Sequence, residues 1–227
     1  MNRYALKATA AALVLACAGL APDRDRELLD ACIDGDARRV SRLLARGADV
    51  HSAHEVPWDP TARFTPLMAA TVGGHTEAVW LLLAAGAPPD DPLEPGRMSP
   101  LGIAAVHGDV EIARALLLAG ARVDYETLTG ATPLMASIRG GHVDLVLLLL
   151  EGGAQVDHGD QRGTTALMLA SERGMLEIAE LLLEHGADPL ARDDDGATAL
   201  LRAVEGGHSD TAALFRSRLP DSVGDDH

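Results

Sequence analysis

The stretch TPLMAATVGGH at residues 65–75 returns as TPLMASIRGGH at residues 132–142, identical at eight of eleven positions and 67 residues further on. A Thr or Ser opens such a stretch at Thr65, Ser99, Thr132, Thr165 and Thr198, with spacings of 34, 33, 33 and 33. Nine residues after each stands Gly74, Gly108, Gly141, Gly174 or Gly207, and a Gly-Ala pair begins at Gly86, Gly120, Gly153 and Gly186. Three markers keep one period, so the chain is an array of like units rather than a globule of unrelated elements. An earlier copy is marked by Gly35 and Gly47, which keep the 12-residue spacing of Gly74 and Gly86 but lie 39 residues before them. About six extra residues therefore intrude, and we locate them within HSAHEVPWDP at residues 51–60.

The parts of one unit follow from local physics. Thr or Ser caps a helix by offering its hydroxyl to a free backbone N–H, and Pro suits the first turn, where its missing N–H costs nothing. The first helix is predicted to run about ten residues to the mid-unit Gly, which tolerates a left-handed turn. A second helix places apolar residues such as Ile178, Ala179, Leu181, Leu182 and Leu183 on one side. Gly-Ala ends it, and a polar stretch such as RVDYETLTGA reads as an extended turn projecting from the stack. Apolar residues make up 47 % of the chain but aromatics only 3 %. The core must then be small aliphatic side chains between closely stacked helices.

One unit cannot bury its stripe alone, so neighbours must cover it. The end units should then be polar on their outer sides. Arg39 stands where Ile112 and Ile178 stand, Arg42 where Leu181 stands, and Arg216 where Leu183 stands. The expected boundaries are 24–50, 61–90, 95–124, 128–157, 161–190 and 194–219 for six units, followed by an acidic tail at 220–227.

A 33-residue period with TPLMAA, SPLGIAA, TPLMAS, TALMLA and TALLRA at the starts and LLLAAGA, LLLAGARVD, LLLEGGAQVD and LLLEHGADP at the ends resembles the ankyrin repeat. The resemblance covers residues 24–219 and implies an all-α solenoid of about six helix-turn-helix repeats with projecting hairpin loops. One departure is consistent: the family's His after T-P-L is replaced by Met68, Gly102, Met135, Met168 or Leu201. Apolar packing should take over there, with looser hairpins.

The resemblance also implies a role: partners dock on hairpin tips and first helices. The positions there that the repeat does not dictate are Val72, His107, Arg139, Glu172, Arg173 and Glu205 on first helices. On the hairpins they are Trp58, Arg97, Tyr125, Glu126, Gln161, Arg162, Arg192 and Asp194. Trp, Tyr and Arg dominate binding energy most often, and Trp58 lies in the insertion, where no repeat requires it. Its other reading is a plug for the gap that the insertion makes. Trp80 and Leu147 stand where other second helices have Arg114 or Glu180, either as a second contact patch or as packing between neighbours.

The first 21 residues, MNRYALKATAAALVLACAGLA, have a positive start, a short apolar run and small residues, the layout of a secretory signal. The run is too short to span a bilayer, which takes about 20 apolar residues. Two processing routes fit. Ala16-Cys17-Ala18 obeys the small-x-small cleavage rule, and Val14-Leu15-Ala16-Cys17 resembles a bacterial lipobox, which would lipidate Cys17 and tether the protein. Either way the expected place is the periplasm or the cell envelope. Cys32 is then expected to be a packed thiol.

Other classes are disfavoured. A net charge of −15 with a single lysine, Lys7, leaves no basic patch for nucleic acid. His75, His142 and His208 recur one unit or more apart, too distant to share a metal. Asp193-Asp194-Asp195-Gly196 lacks the spacing and closing Glu of a calcium loop and reads as a solvated hairpin tip. No nucleophile–base motif or phosphate-binding glycine loop occurs, so neither catalysis nor a cofactor is expected. The expectation is a monomeric interaction protein with another protein as partner, in an adaptor or inhibitor/immunity-type role. Alternatives are a secreted effector acting on a foreign protein, or an enzyme whose site spans repeats.

Overall fold

The computed structural model describes residues 23–56, 59–90 and 98–218. Among the described residues it holds twelve α-helices in six consecutive pairs and one two-stranded ribbon, the expected all-α repeat architecture. The chain divides into two units, Met1–Ala87 and Pro88–His227.

The first unit contains α1 (Arg24–Asp34), α2 (Ala37–Ala45), β1 (His54–Val56), β2 (Asp59–Phe64), α3 (Pro66–Val72) and α4 (Thr76–Ala84). Helix α1 packs on α2 and α3, and α2 packs on α4. Part of the intruding segment is not loop but antiparallel ribbon, with His54 opposite Phe64 and Glu55 opposite Arg63. The ribbon is held to its own unit by Arg26, whose Nη1 donates to the Glu55 carbonyl at 2.7 Å. Cys32 is fully buried on α1, and burial pushes its thiol up to about 12, as a packed and unreactive thiol requires.

The second unit contains α5 (Pro100–His107), α6 (Val110–Leu118), α7 (Pro133–Gly140), α8 (Val143–Glu151), α9 (Ala166–Glu172), α10 (Leu176–Glu184), α11 (Ala199–Glu205) and α12 (Ser209–Arg218). The first helices of the pairs, α5, α7, α9 and α11, stack in one row, and the second helices stack in another. Leu101, Leu134 and Leu167, the leucines of the repeated motif, are buried between the rows. In the first and last helix pairs of the sequence, Arg42 and Arg216 are exposed and Arg39 is half-buried.

Each repeated start folds as a capped helix. Thr65 Oγ1 accepts from the Met68 N–H at 3.2 Å and Ser99 Oγ from that of Gly102 at 3.1 Å. Thr132, Thr165 and Thr198 do the same for Met135, Met168 and Leu201 at 3.4, 3.4 and 3.3 Å. Loss of such a cap costs about 1 kcal/mol. Helices α3, α5, α7, α9 and α11 are seven or eight residues long, shorter than the predicted ten. The chain leaves the helix early because the next residues fold back on it: the His142 N–H, for example, donates to the Ser137 carbonyl.

Neighbouring pairs are joined by two recurring bonds. His142 Nε2 lies 3.1 Å from the Val106 carbonyl and His208 Nε2 lies 3.0 Å from that of Glu172, so each imidazole reaches back to the preceding first helix. In the first unit His75 reaches Ile33 in the same way at 3.2 Å. The ring needs a bare neighbour: a Cβ on Gly108 would sit 2.5 Å from His142 Nδ1, and Gly108 has φ +78° as well. The second bond comes from an aspartate. Asp90 accepts from the Arg122 N–H, Asp124 from Gln155 and Asp157 from Asp188, at 2.8–3.0 Å.

Candidate interaction surface

Two of the hairpins that follow the second helices are each closed by one aspartate, and the hairpin at 127–131 is closed by Thr127, whose Oγ1 accepts from the Ala131 N–H at 3.2 Å. Asp160 Oδ1 accepts from the backbone of Arg162 and Thr164 at 2.9 and 3.0 Å. Asp193 Oδ1 does the same for Asp195 and Ala197 at 3.1 and 2.8 Å. Successive hairpins are tied backbone to backbone. The Gln161 N–H donates to Thr129 at 3.1 Å and the Asp194 N–H to Arg162 at 2.9 Å. The tips touch closely, since a Cβ on Gly130 would lie 2.9 Å from the Gln161 nitrogen. Main-chain bonds hold these hairpins with no histidine after T-P-L, and Met68, Met135 and Met168 are buried. The hairpins are tied, not loosened as expected from the sequence.

Asp193 departs from a solvated tip. Its side chain is 2 % exposed, and Oδ2 accepts a short hydrogen bond from Arg202 Nη2, whereas Asp194 is exposed and Asp195 is 81 % exposed. Burial alone would raise the Asp193 carboxyl; the Arg202 bond, backed by the two backbone donors, outweighs it and holds the group below its ordinary value. Both oxygens of Asp193 are therefore committed to protein donors.

The candidate contact residues fall as follows. Val72 is half-buried at the end of α3 in the first unit. His107 is exposed at the end of α5, 3.9 Å from Asp109. Tyr125 is half-buried, with the Arg122 guanidinium 5.2 Å from its ring centre. Glu126 is exposed, 3.7 Å from His158. Arg139 is 49 % exposed at the end of α7, 4.0 Å from Asp160. Gln161, Arg162, Glu172, Arg192, Asp194 and Glu205 are exposed. Arg173 is also exposed, and its Nη1 donates to the Arg139 carbonyl at 2.8 Å. Met175 stands where His142 and His208 stand in their units, so Arg173 supplies there the backward bond that histidine supplies elsewhere. Trp58, Arg97 and Cys17 lie outside the described residues.

Two of these residues, Tyr125 and Arg139, meet at a cleft of about 390 Å³ between α5 and α7. Met98, Gly102, Val106 and Ala136 are among its other walls. Sequence reasoning missed Met98, Val106 and Ala136. The one available signal was Gly102, which breaks a run of Met and Leu at its position. On the second helices Trp80 is 43 % exposed and Leu147 half-buried. Leu118, 74 % exposed, borders a second, more polar cleft with Arg114 and Glu151. Among the described residues no cluster of three or more His, Cys, Asp or Glu is placed to hold a metal, and no helix is long and apolar enough to cross a membrane.

A scaffold of capped helix pairs joined by repeating bonds, with its variable side chains on tips and first helices, is that of a repeat protein built for contact. The family model for ankyrin repeats (3 copies) matches residues 28–127, 101–193 and 155–221, and the chain belongs to that family. Ankyrin repeat domains are generally non-enzymatic protein–protein interaction modules. Among curated proteins, the chain is similar to the mitochondrial disaggregase of Homo sapiens, 42 % identical over 84 residues, which is 37 % of this chain and 11 % of that protein. The mitochondrial disaggregase of Bos taurus is 39 % identical over 84 residues, 37 % of this chain and 12 % of that protein. The chain thus spans about a tenth of the length of the curated relatives that it matches.

Proposed function

We propose that this protein is a non-enzymatic adaptor or an inhibitor of immunity type, exported to a bacterial cell envelope, that holds another protein on its hairpin tips and first helices. The observation that carries the reading is the split of roles within each repeat. Motif residues are buried or bonded to a neighbour, whereas His107, Glu126, Arg162, Glu172 and Asp194 are exposed on tips and first helices. Preordered side chains lose little entropy on docking, which suits recognition by a rigid wall. The curated relatives are named for acting on aggregates, which accords with a module that touches polypeptide, but the shared segment is too small a part of them to bring their activity along. Export is supported by the charge and apolar layout of residues 1–21, and tethering by Cys17 at the end of its lipobox-like stretch. The protein then works as a monomer.

Affinity capture of the mature protein from envelope extract, wild type against Trp58→Ala plus Tyr125→Ala, tests the surface. One captured partner should be lost with the double variant; an unchanged set removes these residues from the contact. Mass spectrometry of the mature N-terminus reads the address. A lipid-bearing Cys17 supports a tether, a start at Gly19 supports free release, and an intact residue 1 in the native host rules out export by this signal.

A further inference from the structure

We propose that the cleft between α5 and α7 is an anchor pocket for an extended peptide that carries a bulky apolar side chain beside a carboxylate. The inference rests on the interaction-module reading and names the chemistry of the partner. Its origin is one missing side chain. The third residue after the helix cap is Met68, Met135 or Met168 in three other repeats, each buried, and Leu201 in the last, 44 % exposed, but Gly102 here. A Cβ on Gly102 would meet its nearest neighbours, in Met98 and Ser99, at 3.6 Å, an ordinary contact, so nothing in the backbone demands glycine. What glycine leaves is a cleft of about 390 Å³, within the size range of small-ligand sites, whose walls are mainly apolar.

Two further observations fix the occupant. Met98 and Val106 at the cleft are 38 % and 41 % exposed. A small ligand lying in the cleft would leave that surface in water, whereas a polypeptide would cover it while one of its side chains fills the cleft. Among the described residues that line the cleft, Arg139 is the only charged one. Its Nη2 stands 4.0 Å from Asp160 Oδ2, beyond hydrogen-bonding distance, while Asp160 Oδ1 is occupied by two backbone donors. Arg202, by contrast, is closely bonded to Asp193. Arg139 therefore keeps guanidinium donors for an incoming carboxylate, which it can bind through two parallel bonds.

The test uses the full chain, immobilised and panned with a random-peptide phage library. Enriched peptides should share a Leu, Met or Phe next to an Asp, Glu or free C-terminus. Two filling variants then report on the cleft. Gly102→Met and Ala136→Leu install residues that neighbouring repeats carry at the same positions as buried Met135 and Leu169, so both should fold, checked by thermal melting. Each should weaken the selected peptide at least about tenfold, or about 1.4 kcal/mol. Arg139→Gln should weaken it to a similar degree and leave its Asp→Asn or Glu→Gln analogue unaffected, the mark of a direct pair. Peptides that lack the apolar–acid pair, or bind both filling variants undiminished, overturn the pocket while leaving the interaction-module reading intact. Failure to enrich any peptide also overturns the pocket; joined to a failure to capture any partner, it removes both readings. Palmitate is the second probe: binding of palmitate alone, lost in Gly102→Met, makes the cleft a fatty-acid site and overturns the peptide.

Discussion

Helices α5 and α7 begin with SPLGI and TPLMA, and their backbones start alike. Ser99 and Thr132 cap them with bonds of 3.1 and 3.4 Å, and Leu101 and Leu134 are equally buried. They differ one residue later. Met135 is 1 % exposed and fills the space beside its helix, whereas Gly102 leaves a cleft in the same place. A similar contrast separates two hairpins. Asp160 and Asp193 close their turns with the same pair of backbone bonds, yet only Asp193 also binds an arginine, Arg202, at hydrogen-bonding distance. The frame of the repeat is set by caps and turns. What each repeat can hold is decided by the few side chains that the frame leaves free.

Transferring the gap from α5 to α7 gives the largest expected effect. Met135→Gly should destabilise the protein by about 4 kcal/mol, the sum of lost burial and of glycine's poor helix propensity. Chemical denaturation measures it, and a cost under about 1 kcal/mol would mean that α5 and α7 do not differ as described. Next comes the hairpin pair. Asp193→Asn should cost about 2 kcal/mol at neutral pH, because a buried charge-assisted bond is lost, and the same change at Asp160 less than half of that. Since the Asp193 carboxyl is held below its ordinary value, its contribution is complete above about pH 4 and fades as the pH falls further. Wild type and Asp193→Asn should therefore converge in strong acid; a constant gap across that range would show that the charge is not what matters. The smallest effect is a gain. Gly102→Met should raise stability by about 1 kcal/mol through helix propensity, visible as an upward shift in melting temperature. A loss instead would mean that the walls of the cleft cannot admit a side chain.

Much of the fold was legible because its rules are local. A Thr or Ser three residues before an N–H that needs a partner, with Pro at the first turn in three of the five starts, is a helix start in any context. The ribbon at β1 and β2 was not legible beyond a break in the period, since strand pairing depends on the facing segment and residues 54–64 show no clean alternation. The histidine column was legible only as a recurrence too widely spaced for a metal. Its bonds to Val106 and Glu172 become visible only when neighbouring repeats are placed side by side. The cleft was the hardest part. Gly102 stood out as a departure, but it was weighed as a missing histidine, and empty space appears only when Met98, Val106 and Tyr125 surround it. The structural bond of Arg173 to Arg139 was not legible because it spans 34 positions of sequence.

The aspartates at 90, 124 and 157 bear on how such a gene changes. Each accepts from a residue 31 or 32 positions ahead, so these three joints each present one acceptor upstream and one matching N–H downstream. Excising or duplicating a whole period by recombination brings an identical acceptor to an identical donor, and the seam heals without new chemistry. Lengthening and shortening by whole periods are therefore changes that this architecture tolerates.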